Sequence, residues 1–283
     1  MNIDFCKYLT AILLFGTNGI VASKILLDSY NIVLLRTFIG SLFLFTIYLL
    51  KQNTFTFYKH PLQFCYVCIS GIAMGASWLF LYEAYVQIGV ALASLLYYCG
   101  PIFVIASSPF IFNEKLPISK IIGIVMVLLG ILLLNEDLFY SSGNIFGFFC
   151  GLGSAIMYAF MVIYNKKASS IVGLENCLLQ LSISFLTTLL FTCIKNFPTP
   201  SLASTNLLPL LILGLLNTGL GCYLYFSSIK KLSVQRVAIY GYLEPLSAIF
   251  FSTIFLKETF TYLQILGAVF VIGGAIFSEL YKK

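Results

Sequence analysis

Ten stretches of mostly apolar residues follow one another along this chain, separated only by short connections. They run 6–25, 30–50, 62–82, 91–112, 117–135, 143–164, 174–194, 206–226, 234–256 and 261–280. A helix needs about 20 such residues to cross the hydrocarbon of a bilayer, and each stretch meets that length. Only 9% of the 283 residues are charged, against about 25% in soluble domains. The alternating segments of about 10 residues that mark a membrane β-barrel are missing. The predicted fold is therefore all-α and integral to the membrane, with ten transmembrane helices. The lipid bilayer is its first partner. The net charge of +6 comes from basic residues scattered singly and in pairs, so no basic stripe suggests nucleic acid.

Lys and Arg accumulate in cytoplasmic segments of membrane proteins. With the N-terminus inside, the inner segments hold Lys7, Lys51, Lys59, Lys115, Lys120, Lys166, Lys167, Lys230, Lys231, Arg236, Lys282 and Lys283. The outer ones hold only Lys24, Lys195 and Lys257. The expectation is a multi-pass protein of the cell membrane with both termini in the cytoplasm. The first span is expected to be retained rather than cleaved as a signal peptide, given its length and its counterpart in the second half.

That counterpart is part of an internal repeat. Shifted by 144 positions, Trp78 to Leu132 overlays Cys222 to Ile276 without gaps. Shared residues include Tyr98/Tyr242, Pro101/Pro245, Glu114/Glu258, Gly123/Gly267 and Gly130/Gly274. A shift of 143 pairs Phe15 with Tyr158; one residue is then gained, and at a shift of 144 Arg36 lies opposite Gln180 in the second span of each half. The division expected is 1–137 and 138–283, five spans each. An odd number of spans inverts the second copy in the membrane. Two similar bundles in opposite orientation have two near-equivalent arrangements, each open to one side, and substrates then bind near the midplane between them. The pattern points to alternating access, and a membrane receptor or regulator has no such need of it.

The charge within this frame is Glu244, in "YGYLEPLSAIF". A carboxylate at membrane depth costs about 2.5–3.5 kcal/mol on insertion scales. It reads either as a group coupling transport to protons, or binding a cationic part of the substrate, or as a structural carboxyl joining helices. Its repeat counterpart is Gly100, and the stripe Tyr240, Glu244, Ser247, Phe251 is expected to face Leu96, Gly100, Phe103, Ser107, with Gly100 leaving room beside the carboxylate. Pro101 and Pro245 each remove the helical donor of the carbonyl four residues earlier, those of Tyr97 and Gly241; these read as acceptors for substrate or water, or as the mark of a kink that shapes the bundle.

Arg36 lies within the second span. It reads as a snorkelling side chain, as a ligand for a substrate carboxylate, or as a partner of Glu83 or Glu244. Asn18, Gln180 and Asn217 read as substrate contacts or interhelical hydrogen bonds. Trp78, Tyr98, Tyr158, Tyr240 and Tyr242 are candidates for an aromatic cavity wall, with Tyr97 beside them. Glu114 and Glu258 are expected to cap the helices that follow them. Gly71/Gly75 and Gly147/Gly151 have the spacing of close helix packing. The eight cysteines are dispersed and the single His60 stands in a loop, so no metal site is expected. Without a P-loop, nucleophile elbow or HExxH, neither a cofactor nor catalysis is expected.

"YVQIGVALASLLYYCGPIFVIASSPFIFNEKLPISKIIGIVMVLLGILLL" resembles the end of an EamA domain of the drug/metabolite transporter superfamily, and "LSVQRVAIYGYLEPLSAIFFSTIFLKETFTYLQILGAVFVIGGAIF" resembles its second copy. "FGTNGIVASK" and Arg36 also fit, while Phe15 stands where a Trp is common in the family. The resemblance covers essentially the whole chain. It implies a ten-helix fold with a central cavity and movement of small metabolites. The leading expectation is a secondary transporter exporting an amino acid or related compound, with protons as the coupling ion. Uptake by the same fold is the alternative. Direction, cargo and the choice of monomer or homodimer are left open by the sequence.

Overall fold

The computed structural model describes residues 3–88, 90–134, 144–195, 206–256 and 261–280. All regular structure among them is helical and forms ten spans. These are α1 (Ile3–Ala22), α2 (Ser29–Leu50), α3 (Pro61–Ile88), α4 (Val90–Tyr97 and Gly100–Phe112), α5 (Ile118–Leu134), α6 (Ile145–Lys167), α7 (Gly173–Ile194), α8 (Leu207–Ile229), α9 (Val234–Gly241 and Leu243–Leu256) and α10 (Tyr262–Leu280). Large apolar side chains such as Leu42, Phe45, Leu49, Phe149 and Leu190 stay exposed on the outside, which only an apolar solvent tolerates at this density.

The helix ends and breaks follow local chemistry. α3 runs six residues beyond its expected end at Tyr82. Glu83 does not stop it because Tyr30 donates a hydrogen bond to its carboxylate and Gln87 donates another at 2.9 Å. α4 and α9 both break just before their shared prolines, at Tyr98–Cys99 and at Tyr242. Each therefore contains a half-helix whose first turn lies inside the bundle. α1 breaks at Thr17, and α8 passes through a π-helical stretch over Ile212–Leu220.

The repeats interleave. α3 packs along α6 and α7, α8 packs along α1 and α2, and α4 and α9 rest on α6 and α1 respectively. α5 and α10 cross each other through the shared glycines. A Cβ on Gly130 would come within 2.6 Å of the Gly267 carbonyl, and one on Gly274 within 2.6 Å of the Gly123 carbonyl. Side chains there would force the two helices apart. Gly71 and Gly75 lie against α7, and Gly147 and Gly151 against α3 and α4, so both glycine pairs serve internal packing.

The end of the bundle that carries the N-terminus is tied across the repeats. Lys166 donates to the carbonyls of Ile229 and Leu232 at the end of α8, and Lys230 donates to those of Ala168 and Ile171 just past α6. Each lysine thus satisfies the last carbonyls of the other's helix. Burial pushes the pKa of the Lys230 ammonium down, to about 8. Tyr8 donates to the Val237 carbonyl at 2.5 Å, and Lys231 lies 3.3 Å from Asp4. Glu114 corrects its sequence-based assignment: it accepts from the backbone of Val234 and Gln235 at 2.9 and 3.3 Å. It caps α9 of the other repeat rather than α5, because the interleaved packing brings that helix start to it. Glu258 lies outside the described residues.

Candidate functional site

A cavity that brings together Arg36 and Glu244 lies between the two repeats. Ile12, Phe15, Asn18, Arg36, Met74, Ser77, Trp78 and Tyr97 line it from the first half, and Tyr158, Met161, Cys222, Tyr225, Phe226 and Glu244 from the second. The hollow holds about 570 Å³ including its mouth, but only about 60 Å³ is open to the centre of a water-sized sphere. That is room for a few waters, so a metabolite would enter only as the walls part.

Arg36 is 5% exposed and held by three helices. Its Nε donates to Thr218 Oγ1 at 2.9 Å, its Nη2 to Asn18 Oδ1 at 3.4 Å, and its guanidinium lies 4.8 Å from the centre of the Trp78 ring. The π-helical stretch of α8 sets two of these supports. Within that stretch the Thr218 hydroxyl also donates back to the Leu213 carbonyl at 2.8 Å. Asn217 beside it donates to Leu14 O, Thr17 Oγ1 and Asn18 Oδ1 at 3.0, 2.8 and 3.0 Å. Arg36 thus pairs with neither Glu83 nor Glu244; among the described residues the one ion pair is Lys231–Asp4.

Glu244 stands in the first turn of the half-helix Leu243–Leu256. The positive end of the helix dipole favours a carboxylate there, which explains how the chain tolerates a charge beside Pro245. Among the described residues, no side chain or backbone N–H donates to its carboxylate. The same cavity presents the rings of Tyr97 and Tyr158, whose centroids are 5.5 Å apart at 75°. Tyr158 and Tyr225 bring their hydroxyls to 3.4 Å.

The expected room beside Gly100 is not empty. A Cβ there would come within 2.7 Å of the Tyr158 ring and 3.1 Å of the Ala155 carbonyl. Gly100 exists to seat Tyr158 of α6. Nor do the two stripes face each other directly: Ser247 packs on Gly16 of α1, where a Cβ would lie within 2.9 Å of the serine Cβ. Each broken helix faces the first helix of the opposite repeat.

Of the residues singled out from sequence, Glu244, Arg36, Asn18, Trp78 and Tyr158 meet at the cavity. Asn217 supports it from behind. Gln180 is fully buried elsewhere, donating to Ser70 Oγ at 2.7 Å and accepting from Asn165 at 3.2 Å. Like Arg36, it bonds to the third helix of the other repeat and the first helix of its own. Tyr242 is buried among Val127, Ile131 and Val271 with Tyr98 against the same cluster, and Tyr240 packs edge-on against Phe5 with centroids 4.9 Å apart. Pro101 and Pro245 act through the backbone breaks.

Met74, Ser77, Met161, Cys222, Tyr225 and Phe226 had not been singled out. The repeat held a signal for some of them. Asn18/Met161 at a shift of 143 and Trp78/Cys222 at 144 are repeat pairs, and both members of each line the cavity. A residue placed at the cavity thus points to its partner in the other half.

An inverted pair of helical bundles around a shared cavity, with broken helices inside the bundle, defines a membrane transporter class. The chain belongs to the EamA-like transporter family, which it matches twice, over residues 5–136 and 145–280. It is 24% identical over 275 residues to a Bacillus subtilis protein named uncharacterized transporter YxxF, covering 95% of this chain and 86% of that one. Proteins named probable amino-acid metabolite efflux pump, from Escherichia coli and Salmonella typhimurium, are 28% and 29% identical over 196 and 195 residues, 65% of each chain. A solved crystal structure superposes with a TM-score of 0.83 over 98% of both chains at 17% identity, which speaks to the fold alone.

Proposed function

We propose that this protein exports an amino acid or a related small metabolite across the cytoplasmic membrane by alternating access. The observation that carries this reading is the inter-repeat cavity, which holds one cation, Arg36, and one carboxylate, Glu244, between aromatic walls. Such a hollow suits a small amphipathic solute. The two efflux-pump relatives favour export of an amino-acid metabolite. In this reading the repeats divide as 1–137 and 138–283, both termini face the cytoplasm, and the clamped N-terminal end is a closed cytoplasmic gate.

Glu244 is proposed as the group that alternates between proton and substrate. It borders the cavity and has no bond of its own to break. Purified protein in vesicles, supplied with a metabolite panel with and without a pH gradient, tests the reading. Gradient-driven flux that Glu244→Gln abolishes is the expected result. Flux indifferent to both would remove the coupling role, and flux only in the inward direction would make the protein an uptake system.

A further inference from the structure

The cavity holds two opposite charges that do not meet. Of the five N–H donors of a guanidinium, Arg36 gives one to Thr218 and one to Asn18. Three are left without a protein acceptor among the described residues, on a side chain only 5% exposed. Arg36 lines the hollow, so these donors are open to a solute that enters it. If Arg36 served only to hold helices, α7 shows how a neutral residue does it. Gln180, its repeat counterpart, makes the equivalent bonds and lies outside the cavity. The position thus differs from its twin in charge, in unused donors and in access to the hollow.

Glu244 is the mirror case. Its repeat counterpart is Gly100, it borders the same hollow, and it accepts no hydrogen bond among the described residues. Arg36 is held by Trp78 and Asn18, and no ion pair joins it to Glu244 among the described residues. The site therefore offers room for an anion beside Arg36 and for a cation beside Glu244.

We propose that the cavity binds its substrate as a zwitterion gripped at both ends. Arg36 takes the α-carboxylate through its unused N–H groups, Glu244 takes the α-ammonium, and the substrate side chain lies along Tyr97, Tyr158 and Tyr225. A guanidinium fork matches a carboxylate in two parallel bonds. Its fixed support from Thr218, Asn18 and Trp78 means little ordering is needed on binding. This rests on the transport reading above and narrows it to α-amino carboxylates, with a stated polarity.

The test is counterflow in vesicles holding the full chain, using the labelled protein amino acids as probe. The compound that accumulates is then compared with its decarboxylated amine and its deaminated acid. Wild type is expected to prefer the zwitterion over either analogue by about 100-fold or more, because each analogue leaves a buried charge unpaired. Arg36→Gln should raise KM for the zwitterion about tenfold or more and erase discrimination against the amine. Glu244→Gln should erase discrimination against the acid instead. A purely structural role would not give this crossed pattern. Should Arg36→Gln fail to fold, Arg36→Lys keeps the charge but loses the fork, and is expected to show the same relaxation more weakly. Accumulation with equal affinity for all three compounds, or variants with unchanged preference, overturns the zwitterion grip and leaves the transporter standing. No accumulation of any amino acid removes the proposed substrate class, and the grip with it.

Discussion

The crossing of α4 on α6 and that of α9 on α1 are one element built twice, and they differ where it matters. Both helices break before a proline, and both present the first turn of a half-helix to the bundle interior. In the first half that turn carries Gly100, and the ring of Tyr158 occupies the space where a side chain would be. In the second it carries Glu244, which lines the cavity together with Phe15 of α1. One crossing is thus filled with a ring from its partner helix, while the other sends its own carboxylate into the hollow. The backbone answers to the fold, common to both halves. The side chain just before the shared proline, Gly100 or Glu244, is where the two halves differ, and in the proposed reading it is where the task is served.

The sharpest way to break this comparison is to make the crossings alike. Glu244→Gly should abolish transport, lowering the rate about tenfold or more, while thermal unfolding in detergent changes little. A large fall in melting temperature would show that the carboxylate is structural. The converse change, Gly100→Leu, drives a side chain into Tyr158 and the Ala155 carbonyl. It should cost about 1–3 kcal/mol of stability and displace a cavity wall, so both flux and melting temperature fall.

Gly130→Ala and Gly274→Ala probe a crossing where the halves are equivalent. Each should destabilise by about 1–3 kcal/mol, and unfolding measurements should find the two alike within about 0.5 kcal/mol. Unequal losses would mean the α5–α10 contact is less symmetric than its glycines. Tyr158→Phe keeps the ring in its seat over Gly100 and deletes only a hydroxyl 3.4 Å from that of Tyr225. An effect on stability under about 1 kcal/mol is expected; a larger one would show that the hydroxyl, and not the ring, is what α6 contributes.

Much of this arrangement was legible in the sequence because a bilayer leaves few solutions. Backbone groups in hydrocarbon must bond internally, so ten long apolar runs could only be ten helices, and repeated prolines marked the two breaks. The intramembrane charges were equally visible, since Glu244 and Arg36 stand out against apolar neighbours. Their environment was not. Whether Arg36 would meet Glu83, Glu244 or neither depended on a π-helical register in α8 that puts Thr218 and Asn217 behind it, and no periodicity in "ILGLLNTGL" announces that register. Gln180 looked like a candidate for the same reason as Asn18, yet it is bonded away in a buried network with Ser70 and Asn165.

The sequence by itself determined the number of spans, their pairing into inverted halves, and which residues would be expensive to bury, because those follow from length, charge and register along one dimension. The tertiary structure decided what each expensive residue faces. The halves interleave, so every broken helix meets the first helix of the other repeat rather than its own twin. Gly100 is therefore a seat for Tyr158, Glu114 caps α9 instead of α5, and Arg36 and Glu244 share a cavity without touching.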